Sequence, residues 1–143
     1  MISLYYVPIL LTIIANSFYH IFQKLIPDDL NPISSLILTY STALIGSLII
    51  FICYHKNTSF IDSFKGLNWT SCVLGLSIIL LELGFLLAYR VGWDVSLAAI
   101  VSNVSVTLLL IPIGIIFFKE NISITNLIGI SFCIIGLILV NYK

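Results

Sequence analysis

Apolar residues occupy the chain in five long runs, Leu4–Ile26, Ile33–Tyr54, Trp69–Tyr89, Val95–Phe118 and Ile124–Val140, separated by short polar connections. Each run has about the 17–25 predominantly apolar residues of one helical bilayer crossing; the last is the shortest and draws on its flanks. Away from water only helices or closed barrels satisfy the backbone, and the ten-residue alternating strands of a membrane barrel are absent. The pattern predicts an all-α membrane protein, a bundle of five transmembrane helices.

The connections carry turn and capping chemistry. Asn31 is placed to cap the second helix, with Pro32 at its first position. Asp94 is expected to cap the fourth helix, and Lys119-Glu120-Asn121-Ile122-Ser123 to open the fifth. Only His55–Asn68 is long enough to hold more, such as a short interfacial helix. The first run follows Met1 almost at once, but without a basic leader or a small-residue cleavage site it reads as a crossing.

Polar residues inside the runs are the default candidates for function, because each costs free energy to insert. Thr12, Asn16, His20 and Lys24 recur every fourth residue, which places them on one stripe. Glu82 is the only acidic residue well inside a run, and Tyr89 follows seven residues later. Ser96, Asn103 and Thr107 are spaced by seven and four. At a rise of about 1.5 Å per residue, His20 lies about 9 Å from Ile26, Glu82 about 12 Å from Arg90 and Asn103 about 12 Å from Val95. These three are expected in one layer of a shared cavity, with Asn16 and Thr107 deeper and Lys24, Tyr89 and Arg90 at its mouth.

A carboxyl at this depth must be satisfied. Glu82 therefore either exchanges a proton or pairs with a cationic substrate, or is a neutral structural hydrogen-bonder tied to His20 or Asn103. Lys24 and Arg90 are either snorkelling anchors or a basic rim for an anionic group. In the fifth run Thr125, Gly129, Cys133 and Gly136 put small side chains on one face, a surface for close helix packing within the chain or against a second subunit. Pro112 allows a kink in the fourth run. Tyr5, Tyr6, Trp69, Tyr89, Trp93 and Tyr142 fall near the membrane interfaces.

Composition agrees: 60% of the 143 residues are hydrophobic and 8% charged, against about 25% charged in a soluble domain. Cys53, Cys72 and Cys133 stand singly, without metal-ligand spacing. No nucleophile elbow or phosphate loop is present, and zero net charge gives no nucleic-acid footprint. The expectation is no enzyme, no cofactor and no metal. Charge adds a second inference. Lys56, Lys65 and Lys119 fall on one side of the membrane and Lys24, Arg90 and Lys143 on the other, so the basic-residue rule that fixes orientation is tied. Either the α-amino group decides a single topology, or the chain inserts both ways and pairs with an inverted copy.

The run Leu81-Glu82-Leu83-Gly84-Phe85-Leu86-Leu87-Ala88-Tyr89-Arg90-Val91-Gly92-Trp93, then Ile111-Pro112 through Phe118-Lys119-Glu120-Asn121-Ile122-Ser123 and Gly129 through Asn141, resembles the EamA-type domain of the drug/metabolite transporter superfamily. His20-Ile21-Phe22-Gln23-Lys24 and Asn31-Pro32 extend the likeness over nearly the whole chain. The resemblance implies a single domain over residues 1–143, one half of an inverted-repeat, ten-helix architecture working by alternating access. It implies a location in the bacterial inner membrane, a small-molecule substrate, and a second copy in inverted orientation or a homologous partner. The related small multidrug resistance transporters dimerise through two glycines seven apart, the spacing of Gly129 and Gly136. Glu120 resembles the family's acidic residue between the last two helices and is expected to cap the fifth. Three functions follow: export of a small metabolite or drug-like compound by an antiparallel dimer, a subunit of a polyisoprenyl-linked lipid or sugar flippase, and a non-transporting scaffold.

Overall fold

The computed structural model describes residues 2–54, 62 and 64–141. They form five helices, α1 (Ile2–Lys24), α2 (Pro32–Tyr54), α3 (Trp69–Arg90), α4 (Val95–Phe117) and α5 (Ile124–Asn141), and no strand is present among them. Four have the length and apolarity of a membrane span, and the apolar stretch Ile124–Val140 is shorter. Lys56, Tyr142, Lys143 and most of the connection expected to hold an interfacial helix lie outside the described residues.

The helix ends follow local chemistry. The Asn31 carboxamide oxygen accepts the Ile33 N–H at 2.9 Å. The Asn68 oxygen accepts the Thr70 N–H at 3.0 Å and the Thr70 hydroxyl. The Ser123 hydroxyl oxygen accepts the Asn126 N–H at 3.2 Å. Each satisfies an amide that the first turn leaves without a partner. Asn68→Ala should cost about 1 kcal/mol of helix stability; equal resistance to unfolding in mixed micelles would contradict that role. Asp94 departs from expectation: it stands at the N-cap position, but its side chain makes no capping bond. Its carbonyl accepts the Ala98 N–H at 2.9 Å, so the backbone alone opens α4.

Glu120 is a second correction. It does not cap α5, a role taken by Ser123. Lys119 adopts a left-handed backbone, φ 54°, which turns the chain so that the Glu120 N–H returns to the Gly114 carbonyl at 3.1 Å. The Glu120 carboxyl then lies over Gly114, where an added Cβ would come within 2.5 Å of it. Glycine at 114 therefore leaves room for the side chain folded back on α4. At the end of α3, Gly92 at φ 100° provides the left-handed exit favoured after a helix C-terminus. Pro112 sits inside α4, which runs on to Phe117.

The chain divides into two compact units, one of Met1–His20 with Gly92–Lys143 and the other of Ile21–Val91. In the first, α4 packs on α5; in the second, α2 packs on α3 beside the last turn of α1. Most large apolar side chains on all five helices are exposed, among them Leu38, Leu80, Ile116 and Phe132. Such continuous apolar faces are stable against lipid or another apolar surface, not against water. The chain is a multi-pass membrane protein.

Candidate functional site

The second unit has an unusual core, because polar and charged groups share it with Leu36 and Leu86. On α3, Glu82, Leu86 and Tyr89 follow a three-and-four spacing and are 4%, 1% and 3% exposed, the face on which this helix packs. The expected alignment of Glu82 with Tyr89 is present. Opposite them, from the last turn of α1, Gln23 is 5% exposed and donates from Nε2 to the Glu82 backbone carbonyl at 2.8 Å. From α2, Tyr40 turns its hydroxyl toward the Glu82 carboxyl, short of the geometry of a regular hydrogen bond. Glu82 is thus held by an amide at its backbone and faced by a phenol at its acid group.

Two cations close the end of this unit. Lys24 Nζ donates to the Tyr89 carbonyl at 3.0 Å and stands 5.7 Å from the centre of its ring. Arg90 Nη2 donates to the Pro27 carbonyl at 3.3 Å and the Leu30 carbonyl at 2.5 Å. They tie the C-terminal end of α3 to the α1–α2 connection. Cations at the last carbonyls of a helix are favoured by their partial negative charge. Lys24→Met should lower stability by roughly 1 kcal/mol, the scale of a polar contact between membrane helices; an unchanged unfolding midpoint in detergent titration would contradict this.

These contacts correct the depth estimates. Gln23 is the penultimate residue of α1, yet it meets Glu82, which lies eight residues before the end of α3. Lys24, the last residue of α1, meets the Tyr89 carbonyl one residue before the end of α3, so the two long side chains of this turn reach along α3 in opposite directions. Residues 25–31 join α1 to α2, with Arg90 holding the Pro27 and Leu30 carbonyls. α1 stops at Lys24, not at Ile26.

The four-residue stripe on α1 is a further correction. Thr12 and Asn16 are exposed and His20 is 5% exposed. The Thr12 hydroxyl donates to its own helix, at the Pro8 carbonyl, 3.0 Å away. Steps of four overshoot a 3.6-residue turn by about 40° each, so Thr12 and Lys24 differ by about 120°. Gln23, seven residues after Asn16 and three after His20, shares the buried side better.

Asn103 and Thr107 belong to the other unit. They line a cleft of about 130 Å³ with Val104, Leu108, Ile130 and Cys133. Both are exposed, and the Thr107 hydroxyl donates to the Asn103 carbonyl at 2.8 Å. Gly129 and Gly136 have nothing within 4 Å of an added Cβ, so their faces of α5 are open. Cys133 instead faces α4 across the cleft. No cluster of three metal-ligating side chains occurs among the described residues.

Gln23 and Tyr40 were not singled out from sequence. Tyr40 had a readable signal: it lies eight residues into α2, the same distance that separates Glu82 from the end of α3. No curated protein and no solved structure matches the chain significantly. The sequence model described as the EamA-like transporter family matches residues 3–142, nearly the full length. With five helices of membrane character and a buried carboxyl between two of them, the chain belongs to the EamA-like transporter family.

Proposed function

We propose that the chain forms one EamA-like membrane domain and acts as half of a small secondary transporter. Two copies, or a copy and a homologous partner, assemble in opposite orientations and export a small metabolite or drug-like compound by alternating access in the bacterial inner membrane. Family membership supports transport rather than catalysis. The observation that carries the reading is Glu82, a carboxyl 4% exposed in a membrane-spanning helix. A carboxyl in that position costs free energy whenever it is charged and alone. It therefore takes up a proton or a cationic substrate group as the cavity changes sides.

His20, Asn16, Asn103 and Thr107 are the further polar groups proposed for the substrate path, with Lys24, Tyr89 and Arg90 shaping the end of the α2–α3 unit. The open faces of Gly129 and Gly136 support contact with a second subunit, and the tied lysine and arginine count supports its inverted insertion. The flippase alternative needs Lys24 and Arg90 to receive a lipid phosphate. Both cations already donate to backbone carbonyls, which weakens it. The scaffold alternative gives no account of a buried carboxyl. Proteoliposomes under an imposed pH gradient, loaded in turn with small amines, amino acids and sugars, test the reading. Flux above that of empty liposomes for at least one class supports it; none for any class removes it.

A further inference from the structure

α4 carries an amide with nothing to bond. Asn103 is exposed near the middle of this membrane span, and its carboxamide has no hydrogen-bond partner among the described residues. A carboxamide has two donor hydrogens and an acceptor oxygen, and lipid supplies none of the bonds that water would. Thr107, one turn on, is its complement. The Thr107 hydroxyl hydrogen is already given to the Asn103 backbone carbonyl at 2.8 Å, so its exposed oxygen is left as an acceptor only. Asn103 and Thr107 lie about 40° apart around α4 and edge the α4–α5 cleft opposite Cys133. On α5, Gly129 and Gly136 stand about 40–60° beyond Cys133, on the side away from Ile130, with open space at both. The rim of the cleft is a donor and an acceptor on α4 and bare backbone on α5.

Height selects the partner. α4 runs Val95–Phe117, which puts its centre at Val106; the point halfway between Asn103 and Thr107 is Ser105, about 1.5 Å away on the helical rise. α5 runs Ile124–Asn141, and its centre falls between Phe132 and Cys133, as does the point halfway between Gly129 and Gly136. A copy inserted the other way is related by a two-fold axis lying in the membrane plane at the mid-height of the spans. Such an axis sets each residue opposite the one equally far beyond the centre. It brings Asn103 level with the partner's Thr107, and Thr107 level with the partner's Asn103, so that each free amide meets a free acceptor. A copy inserted the same way would set equal residues side by side and leave both Thr107 oxygens unused.

We propose that the Asn103 and Thr107 face of α4 is the seam on which an inverted copy of this chain docks, the Asn103 carboxamide of each copy donating to the Thr107 hydroxyl oxygen of the other. This rests on the reading that two domains assemble in opposite orientations, and adds the helix, the register and the bonds that hold them. A substrate path that runs between the copies has this seam as part of its wall.

The test is cysteine cross-linking in cell membranes, with Cys53, Cys72 and Cys133 replaced by alanine and two differently tagged copies expressed together. Asn103→Cys in one copy and Thr107→Cys in the other should form a disulfide under mild oxidation, severalfold more than Asn103→Cys with itself. Leu109→Cys, about 120° round α4 from Asn103, should form none with either. In lipid vesicles, energy transfer between labelled copies should show Asn103→Val weakening the dimer about tenfold, the scale of polar contacts between membrane helices. Adding Thr107→Val should weaken it no further, because both substitutions remove the same bonds. Preferred linking of Asn103→Cys with itself means copies facing the same way and overturns the seam. Absence of any link at these positions, or a dimer unmoved by Asn103→Val, overturns it too; loss of flux with the dimer unmoved would assign Asn103 to the substrate. Failure of the two readings is distinguishable. Gradient-driven flux from copies that do not link at 103 and 107 removes the seam and keeps the transporter. The expected link without flux for any substrate class does the reverse.

Discussion

Glu82→Gln is expected to leave the protein folded and to erase the pH dependence of its transport. Glutamine keeps the shape and the hydrogen-bonding capacity of the protonated acid but cannot lose a proton. The main tether at this position, from Gln23 to the Glu82 carbonyl, belongs to the backbone and is untouched by the substitution. Gradient-driven flux in proteoliposomes should fall to the background of empty vesicles, while counterflow of unlabelled against labelled substrate persists with a flat pH profile. Counterflow persists only where the acid serves the proton alone; where the substrate itself is the cation, both activities fall together. Preserved flux with an unchanged pH profile would remove Glu82 from the coupling step and leave it a structural hydrogen-bonder. Gln23→Leu should act in a milder way, changing stability before coupling, because it touches the helix and not the acid.

Arg90→Ala carries the second large effect, on stability. One terminal nitrogen of this side chain serves two carbonyls, at Pro27 and Leu30, in the connection between α1 and α2. Hydrogen bonds from a charged donor are worth about 1.5–3 kcal/mol where water competes little. The carbonyls here are accessible, so a loss of roughly 2 kcal/mol is expected for the pair together. Arg90→Lys should recover less than half of it, because a point charge on a flexible stem does not reproduce a planar fork. Urea or dodecyl sulfate titration of the three proteins, followed by tryptophan fluorescence, separates these values. Equal midpoints would mean that Arg90 is only a snorkelling anchor.

Much of this fold was readable along the chain, for a physical reason. Bilayer thickness fixes the length of an apolar run, and turn chemistry fixes its ends, so α2 through α5 begin within a residue of where Pro32, Trp69, Val95 and Ile124 place them. Asn31 and Ser123 cap as their side chains suggest. Asp94 stands at a cap position and does not cap, since sequence shows which residue is able to accept an amide hydrogen but not the rotamer that does so. The site was harder to read. Glu82 is conspicuous as a lone acid in an apolar run. Its neighbours depend on which side chains of the last turn of α1 reach α3, which no run length along the chain shows. Gln23 meets the Glu82 backbone through a long side chain, a contact that counting residues from helix ends does not reveal. A stripe counted by fours drifts around the helix, and the exposed Asn16 beside the buried Gln23 records that drift.

The same contacts bear on the two cations. Lys24 and Arg90 near helix ends read equally as anchors or as an anion site; their bonds to Tyr89, Pro27 and Leu30 make them fasteners of the unit that holds Glu82. Gly129 and Gly136 read equally as intrachain or intersubunit packing. Open space at both positions moves the weight to a contact outside the chain. An inverted partner would bring a second Glu82 into the same assembly, so that proton exchange and substrate binding become properties of the pair.

As proposed, this five-helix domain works with a second one inserted upside down. The measurement that meets it most directly is the orientation of the chain in living cells, read by reporters on both termini that are active on opposite sides of the membrane. Each reporter should be active, in near-equal amounts from the two sides, and added lysines in one loop should drive the chain into one orientation and abolish flux. A single fixed orientation of the unaltered chain, with full flux and no partner protein, would contradict it.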